Sequence, residues 1–191
     1  MDKYYRVIHA DPPWPFTSRA PCMYGRGNFY DIRNKYPIMK LQDIKTLPVN
    51  KISLPDSALF LWTTDTHMPF ALQVIASWGF RYSTVAFVWV KKNPSGKVRS
   101  NVGPWVMKNC ELCLLGTRGK MLSLKINNNV KQLIEAPVSG HSVKPEEARK
   151  RIELLFPGPY IELFARKKSL GWDSWGDEVE NDIDLIRSDV K

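Results

Sequence analysis

The sequence predicts an α/β fold, a mostly parallel sheet flanked by helices and contained in one domain. Short apolar runs alternate with helix-like stretches, the pattern of strands joined by crossover helices. Several of the runs are apolar at nearly every position, as strands covered on both faces must be. The 191 residues are enough for one substantial core and too few for two ordinary domains. The domain is expected over 1–178, with 179–191 as a tail.

Strands are expected at 4–10, 58–63, 82–90, 110–116, 132–136 and 160–164. A helix over 68–78 has Asp65 or Thr66 as its cap, apolar residues at Ala71, Leu72, Ile75 and Trp78, and Gly79 just past its end. A second, over 145–156, opens on Pro145 with Glu146 and Glu147 in its first turn and is stopped by Pro157-Gly158-Pro159. A shorter one over 40–47 stops at Pro48. Three stretches fit neither pattern: 15–37, 91–108 and the tail after Arg166. Both internal loops begin at strand ends, which places them on the rim where open α/β sheets bind ligands.

Composition narrows the function. The 43% hydrophobic content is that of a globular protein, and no apolar run reaches the length of a membrane helix. The N-terminus has no signal-peptide layout, so an intracellular protein is expected, cytoplasmic if the source is bacterial or phage. Cys110 and Cys113 form a C-x-x-C, but there is no second pair at metal-ligand spacing. They are read as buried, inert thiols, and no metal is expected. A net charge of +9 favours a polyanionic partner. The cations cluster at Lys91, Lys92, Lys97 and Arg99, at Arg118, Lys120 and Lys125, at 149–151 and at 166–168. Tyr24, Tyr30 and Tyr36 interleave with Arg19, Arg26 and Arg33 in the first loop, a mixture that suits base stacking with phosphate contact.

The sharpest local feature is Val7-Ile8-His9-Ala10-Asp11-Pro12-Pro13-Trp14, a hydrophobic strand running into an acid, two prolines and a tryptophan. The prolines fix φ and remove backbone donors, so the turn is stiff and presents bare carbonyl oxygens. A carboxylate beside a carbonyl is a rigid double acceptor suited to an exocyclic amino group with its two N–H donors. Accepting both hydrogens frees the nitrogen lone pair to attack an electrophilic methyl. Trp14 offers a face for a flipped-out base. The same tetrapeptide taken alone also reads as a turn with an anchoring Trp. His9 and His67 are expected to be structural, and His141 adjoins the Lys144 loop without an assigned proton transfer.

Further segments extend the pattern: Tyr36-Pro37-Ile38-Met39, Leu59-Phe60-Leu61-Trp62-Thr63, Trp78-Gly79-Phe80, Val88-Trp89-Val90-Lys91, Lys144-Pro145-Glu146, Ile161-Glu162-Leu163-Phe164-Ala165-Arg166 and Gly171-Trp172. As an ordered series with Asp11-Pro12-Pro13-Trp14, they resemble the DPPW-motif adenine-N6 methyltransferase family, the MT-A family, from about Tyr4 to Glu178. The resemblance implies a Rossmann-like methyltransferase fold with permuted motif order, catalytic motif first, and S-adenosylmethionine as cofactor. It implies that Asp11 and the Pro12 carbonyl hold the target amino group, while Pro13 and Trp14 shape the base pocket. It places Asp11, Pro13, Ser142, Lys144 and Arg166 at the cofactor, with Lys144 against its carboxylate and Arg166 against its ribose.

Some positions depart from the family pattern. Ser169 stands where the family often has Asn. Asp177 and Glu178 stand where it has a tail amide pair, and an acid there would repel the cofactor's carboxylate. Longer relatives place an acidic residue before the first strand, which this chain starts too late to supply. Trp172, Trp175 and Glu178 are candidate substitutes. Tyr24, Arg26, Tyr36, Lys91, Lys92 and Arg99 are the expected nucleic-acid contacts.

Nearly the whole chain is consumed by the catalytic fold, so DNA is the expected substrate and RNA the alternative. A cytosine-N4 methyltransferase is chemically close, although those enzymes more often carry Ser in place of Asp11. A non-catalytic scaffold subunit is the reading from another class, opposed by the presence of Asp11 through Trp14 and Lys144. The sequence leaves open whether the chain pairs with itself or with another subunit.

Overall fold

The computed structural model describes residues 3–15, 38–103, 105–138 and 143–186. Its strands are β1 (Tyr5–Ala10), β2 (Ser53–Thr63), β3 (Arg81–Lys92), β4 (Cys110–Arg118), β5 (Leu133–Pro137), β6 (Tyr160–Leu163) and β7 (Trp172–Trp175). They form one seven-stranded sheet in the order β5-β3-β4-β2-β1-β6-β7. β4 runs antiparallel to β2 and β3, and every other pairing is parallel. The helices are α1 (Leu41–Thr46), α2 (Met68–Ser77) and α3 (Glu146–Leu155). All six expected strands and all three expected helices are present.

The alternation of β2 shows why the sheet is covered on both sides. Leu59 and Leu61 face a core shared with Ile8, Ile161 and the α2 residues Val74 and Ile75. Phe60 and Trp62 face the other core, shared with Phe87, Trp89 and the α3 residues Ala148 and Ile152. The three fully buried tryptophans each have an indole N–H partner, as burial requires: Trp78 donates to the Ile44 carbonyl, Trp89 to the Ala136 carbonyl and Trp62 to His9.

β1 lies between β2 and β6, reached by chain leaving in opposite directions, so the crevice beyond its carboxyl end is the switch point of the sheet. The carboxyl ends of β1, β2, β3, β5 and β6 share that rim, and the reversed β4 brings its first residues there too.

Three expectations about the elements need correction. The tail after Arg166 is not wholly irregular, because Trp172–Trp175 adds β7 to the sheet edge. Four residues with two polar ones give too short a pattern to read, and the parallel ladder with β6 supplies the order. The 91–108 stretch begins as the end of β3 and continues as a pinned excursion, with bridges Lys92↔Val98 and Asn101↔Lys108. Neither Asp65 nor Thr66 caps α2; Asp65–His67 forms a 3-10 turn and His67 stands at the N-cap without a side-chain cap bond. Gly79 does end that helix, at φ 82, where a side chain would be strained.

Among the described residues no helix is long and apolar enough to cross a membrane. Cys113 is buried, and burial pushes its thiol up, but Cys110 is exposed. Residues three apart on a strand face opposite ways, so only one of the two thiols meets the expectation of burial.

Candidate active site

The stiff turn after β1 is built as its prolines require, but its carbonyls are not bare. The Trp14 N–H donates to the Pro12 carbonyl at 2.9 Å, the Met39 N–H donates to the Pro13 carbonyl at 3.1 Å, and His67 Nε2 lies 3.0 Å from the Pro15 carbonyl. A carbonyl oxygen has two lone pairs, so Pro12 keeps one acceptor position. His67 bonds the Thr64 hydroxyl through Nδ1 and stacks on Trp14 at 20° between planes. Trp14 Nε1 donates to the Trp62 carbonyl. The tryptophan is therefore held at one face and at its polar edge, which fixes its orientation.

Lys144 meets this turn from across the sheet. Its Nζ donates to Asp11 Oδ2 at 2.7 Å and lies 3.1 Å from Glu111 Oε2, over the Trp62 ring, with only 8% of its side chain exposed. Glu111 Oε1 in turn accepts from Lys91 at 2.5 Å. Asp11, Lys144, Glu111 and Lys91 thus form an alternating row of charges that sums to zero.

Pairing makes such burial tolerable, because an unpaired charge there would cost several kcal/mol. Burial opposes the charge on Lys144, yet Asp11 and Glu111 outweigh it and hold the ammonium above its ordinary range. Burial likewise opposes the Glu111 charge, and Lys144 with Lys91 keeps its carboxyl low. Asp11 differs: burial raises its carboxyl, and Lys144 only partly offsets the rise. Lys144 takes Oδ2 of Asp11, and no hydrogen bond to Oδ1 is seen among the described residues.

His9 is structural, as expected. It is buried, its Nε2 accepts from Trp62 Nε1 at 2.7 Å, and burial with the nearby Arg149 and Lys144 pushes its pKa down to about 3. Nε2 acts as acceptor, so Nδ1 carries the proton; it faces Glu162 Oε1 at 3.6 Å without a hydrogen bond. The unfolded chain binds this proton more readily, so stability should be complete above the ordinary histidine pKa and be lost as pH falls from there towards 3. Thermal unfolding below pH 6 should show a stability slope of up to about 1.4 kcal/mol per pH unit from this group. His9→Gln should flatten the slope.

The remaining expected site residues are distributed unevenly. Arg166 follows β6 on the rim and lies 3.7 Å from Glu178, so these two are brought together. Asp177 is exposed beside them. Ser169 lies in the β6–β7 turn, where its carbonyl accepts from the Trp172 N–H. Trp172 and Trp175 are committed to packing: Trp172 is buried against Tyr160 and His9 with its N–H on Glu153, and Trp175 packs on Phe164. Trp172 is closed off by this packing, whereas Trp175 also lines a surface cavity with Asn181, Asp182, Ile183 and Asp184.

Lys91 is held by Glu111, and Lys92 pairs with Glu135 at 2.7 Å. Arg99 lies on the excursion, its N–H on the Lys91 carbonyl. The 149–151 and 166–168 clusters have ion-pair partners within the fold, including Glu162, Glu147, Glu146 and Asp182. Tyr24, Arg26, Tyr36, Ser142 and His141, with Arg19, Tyr30 and Arg33, lie outside the described residues.

Glu111, Trp62 and His67 are the residues that sequence reasoning missed as parts of the site. Glu111 left a trace, being the only acid in an otherwise apolar run between two cysteines. Trp62 acts through a backbone carbonyl and a ring face, and neither is readable from a strand residue.

An α/β sheet of this topology, with an acid–proline–proline turn and a buried lysine at its switch point, defines a methyltransferase-type site. The MT-A70 family model matches residues 5–178, and the chain belongs to that family. It is 35% identical over 96% of its length to the type II methyltransferase M.MunI of a Mycoplasma species, covering 82% of that protein. It is 29% identical to the human N(6)-adenine-specific methyltransferase METTL4 and 28% identical to the N6-methyladenosine RNA methyltransferase MTA1 of Cryphonectria parasitica. The matches take in 93% and 92% of this chain but only 38% and 52% of those longer proteins.

Proposed function

We propose that this chain transfers a methyl group from S-adenosylmethionine to the N6 amino group of adenine in DNA, inside the cell. The observation that carries the reading is the Asp11 carboxylate next to the Pro12 carbonyl at the switch point, with Lys144 buried against it. The likeness to M.MunI over most of both chains supports DNA, and the name of METTL4 supports adenine N6.

The donor set fits the cofactor's chemistry. Lys144 would hold its carboxylate, Asp11 would meet its ammonium, and Arg166 would bond its ribose hydroxyls, with Pro13 and Ser142 alongside. Ser169, Asp177 and Glu178 are second candidates around the ribose and adenine. When bound, the cofactor would supply a methyl group on a positively charged sulfur, an electrophile that needs no activating acid and whose sulfur departs as a neutral thioether when the methyl–sulfur bond breaks.

The rest belongs to the protein. Asp11 Oδ1 and the remaining lone pair of the Pro12 carbonyl accept the two N–H bonds of the adenine amino group, which localises the lone pair on N6. Trp14, fixed by His67 and the Trp62 carbonyl, supplies the stacking face. The amino group loses one proton as the new N–C bond forms, and Asp11 takes it; its raised carboxyl pKa makes it a better acceptor than an exposed aspartate. Lys144 keeps the site neutral overall while Asp11 is ionised. Lys91, Lys92 and Arg99, with Tyr24, Arg26 and Tyr36, would meet the phosphates and bases around the target.

Expressed in a host whose DNA lacks N6-methyladenine, the chain should produce N6-methyl-2′-deoxyadenosine in digests of host DNA. N4-methyl-2′-deoxycytidine in its place would sink the adenine assignment. RNA is the second reading, favoured by the likeness to MTA1.

A further inference from the structure

The excursion between β3 and β4 ends in an apolar tip that the reaction centre does not use. Asn101 and Lys108 exchange two backbone hydrogen bonds, of 2.7 and 2.8 Å, and close the base of the tip. Lys108 is paired with Asp65, which follows β2 on the same rim. Gly103 packs closely inside the tip, where a Cβ would meet the Val106 carbonyl oxygen at 2.6 Å. Beyond this pinned base, Trp105 is 92% exposed and Val102 83%, with Val106 and Met107 also exposed. A tryptophan carries roughly 150–250 Å² of surface, and an apolar group of this size turned to water marks a contact surface.

The charge around the tip selects the kind of partner. From Lys91 to Cys110 the sequence contains no Asp or Glu. Lys97 and Arg99 have no ion-pair partner among the described residues, whereas the 149–151 and 166–168 clusters do pair with acids. An apolar wedge flanked by unopposed cations matches a duplex, whose phosphates meet the cations and whose base stack can admit the wedge. The tip also stands close in sequence to the charge row, since Glu111 lies three residues beyond Lys108 and bonds both Lys91 and Lys144.

We propose that Trp105, supported by Val102 and Val106, enters the base stack of the duplex and fills the gap left when the target adenine turns out towards Asp11. This rests on the nucleic-acid methylation reading above and adds to it the element that opens the duplex. An enzyme acting on a base inside a helix must unstack and unpair it, and a side chain occupying the vacated place keeps the helix from closing again.

The test compares wild type, Trp105→Ala and Trp105→Phe on two DNA duplexes carrying a sequence the wild type methylates. One has the target adenine paired, and the other has it opposite an abasic position. Trp105→Ala should slow methylation of the paired target by at least about tenfold and stay within about twofold of wild type on the unpaired one. It should also abolish the fluorescence rise of 2-aminopurine placed at the target, and Trp105→Phe should restore most of both signals. Equal rates for wild type and Trp105→Ala on the paired target, or an equal loss on both duplexes, would overturn the wedge. So would a wild-type dimer in sedimentation that Trp105→Ala dissociates, because the tip would then be a subunit contact. A wild type that methylates no nucleic acid would instead remove the underlying reading.

Discussion

Asp11→Ala should lower the turnover number by at least roughly 10²–10³-fold while leaving the protein folded. The magnitude is that of removing one preorganised polar partner of the reacting group. The fold should persist because Lys144 keeps its second carboxylate, Glu111, at 3.1 Å and so is not left as an unpaired buried charge. Asp11→Asn is the sharper variant. It retains a carbonyl acceptor of nearly the same shape but loses the charge and the ability to take the N6 proton. Steady-state rates on a saturating DNA substrate check the loss, and a thermal melt checks the fold. A turnover number within threefold of wild type for either variant would remove Asp11 from the chemistry.

Lys144→Ala should act on two quantities that can be separated. Cofactor affinity should fall roughly 10- to 100-fold, the 1.5–3 kcal/mol of a charge-assisted hydrogen bond. The pH profile should also move. Burial already raises the Asp11 carboxyl and Lys144 opposes that rise, so removing the ammonium should raise the carboxyl further. Activity requires ionised Asp11 and is lost as pH falls through its pKa; the acid limb of the turnover number should therefore shift to higher pH. Lys144→Arg keeps the charge and should return the limb towards wild type. Calorimetric titration of the cofactor and a rate–pH profile read the two effects independently, and an unmoved acid limb would separate Lys144 from Asp11 in solution.

The fold was largely legible because strands buried on both faces and helices ended by Gly or Pro leave local marks. β7 was not legible: Trp172-Asp173-Ser174-Trp175 becomes a strand only through its pairing with β6. Within the site, Asp11 and Lys144 could be named separately, but their 2.7 Å contact spans 133 positions of sequence and depends on the sheet order. Glu111 needed the reversed direction of β4, which carries its first residues to the rim where the other strands end. The Pro12 carbonyl was expected to be bare because proline removes donors, but the donor came from Trp14 two residues along. Charge was the least transferable feature. Four basic clusters look alike in sequence, and only the structure shows that 149–151, 166–168 and, in the first cluster, Lys91 and Lys92 have acid partners, while Lys97 and Arg99 on the excursion have none among the described residues.

The assignment is tested most directly by incubating the purified chain with tritium-labelled S-adenosylmethionine and DNA or RNA oligonucleotides of matched adenine-containing sequence, then digesting each product to nucleosides. The expected result is label in N6-methyl-2′-deoxyadenosine from DNA, absent when Asp11→Ala replaces the wild type. Label confined to RNA would contradict the DNA assignment, and label in cytosine, or undiminished label with Asp11→Ala, would contradict the amino-group clamp itself.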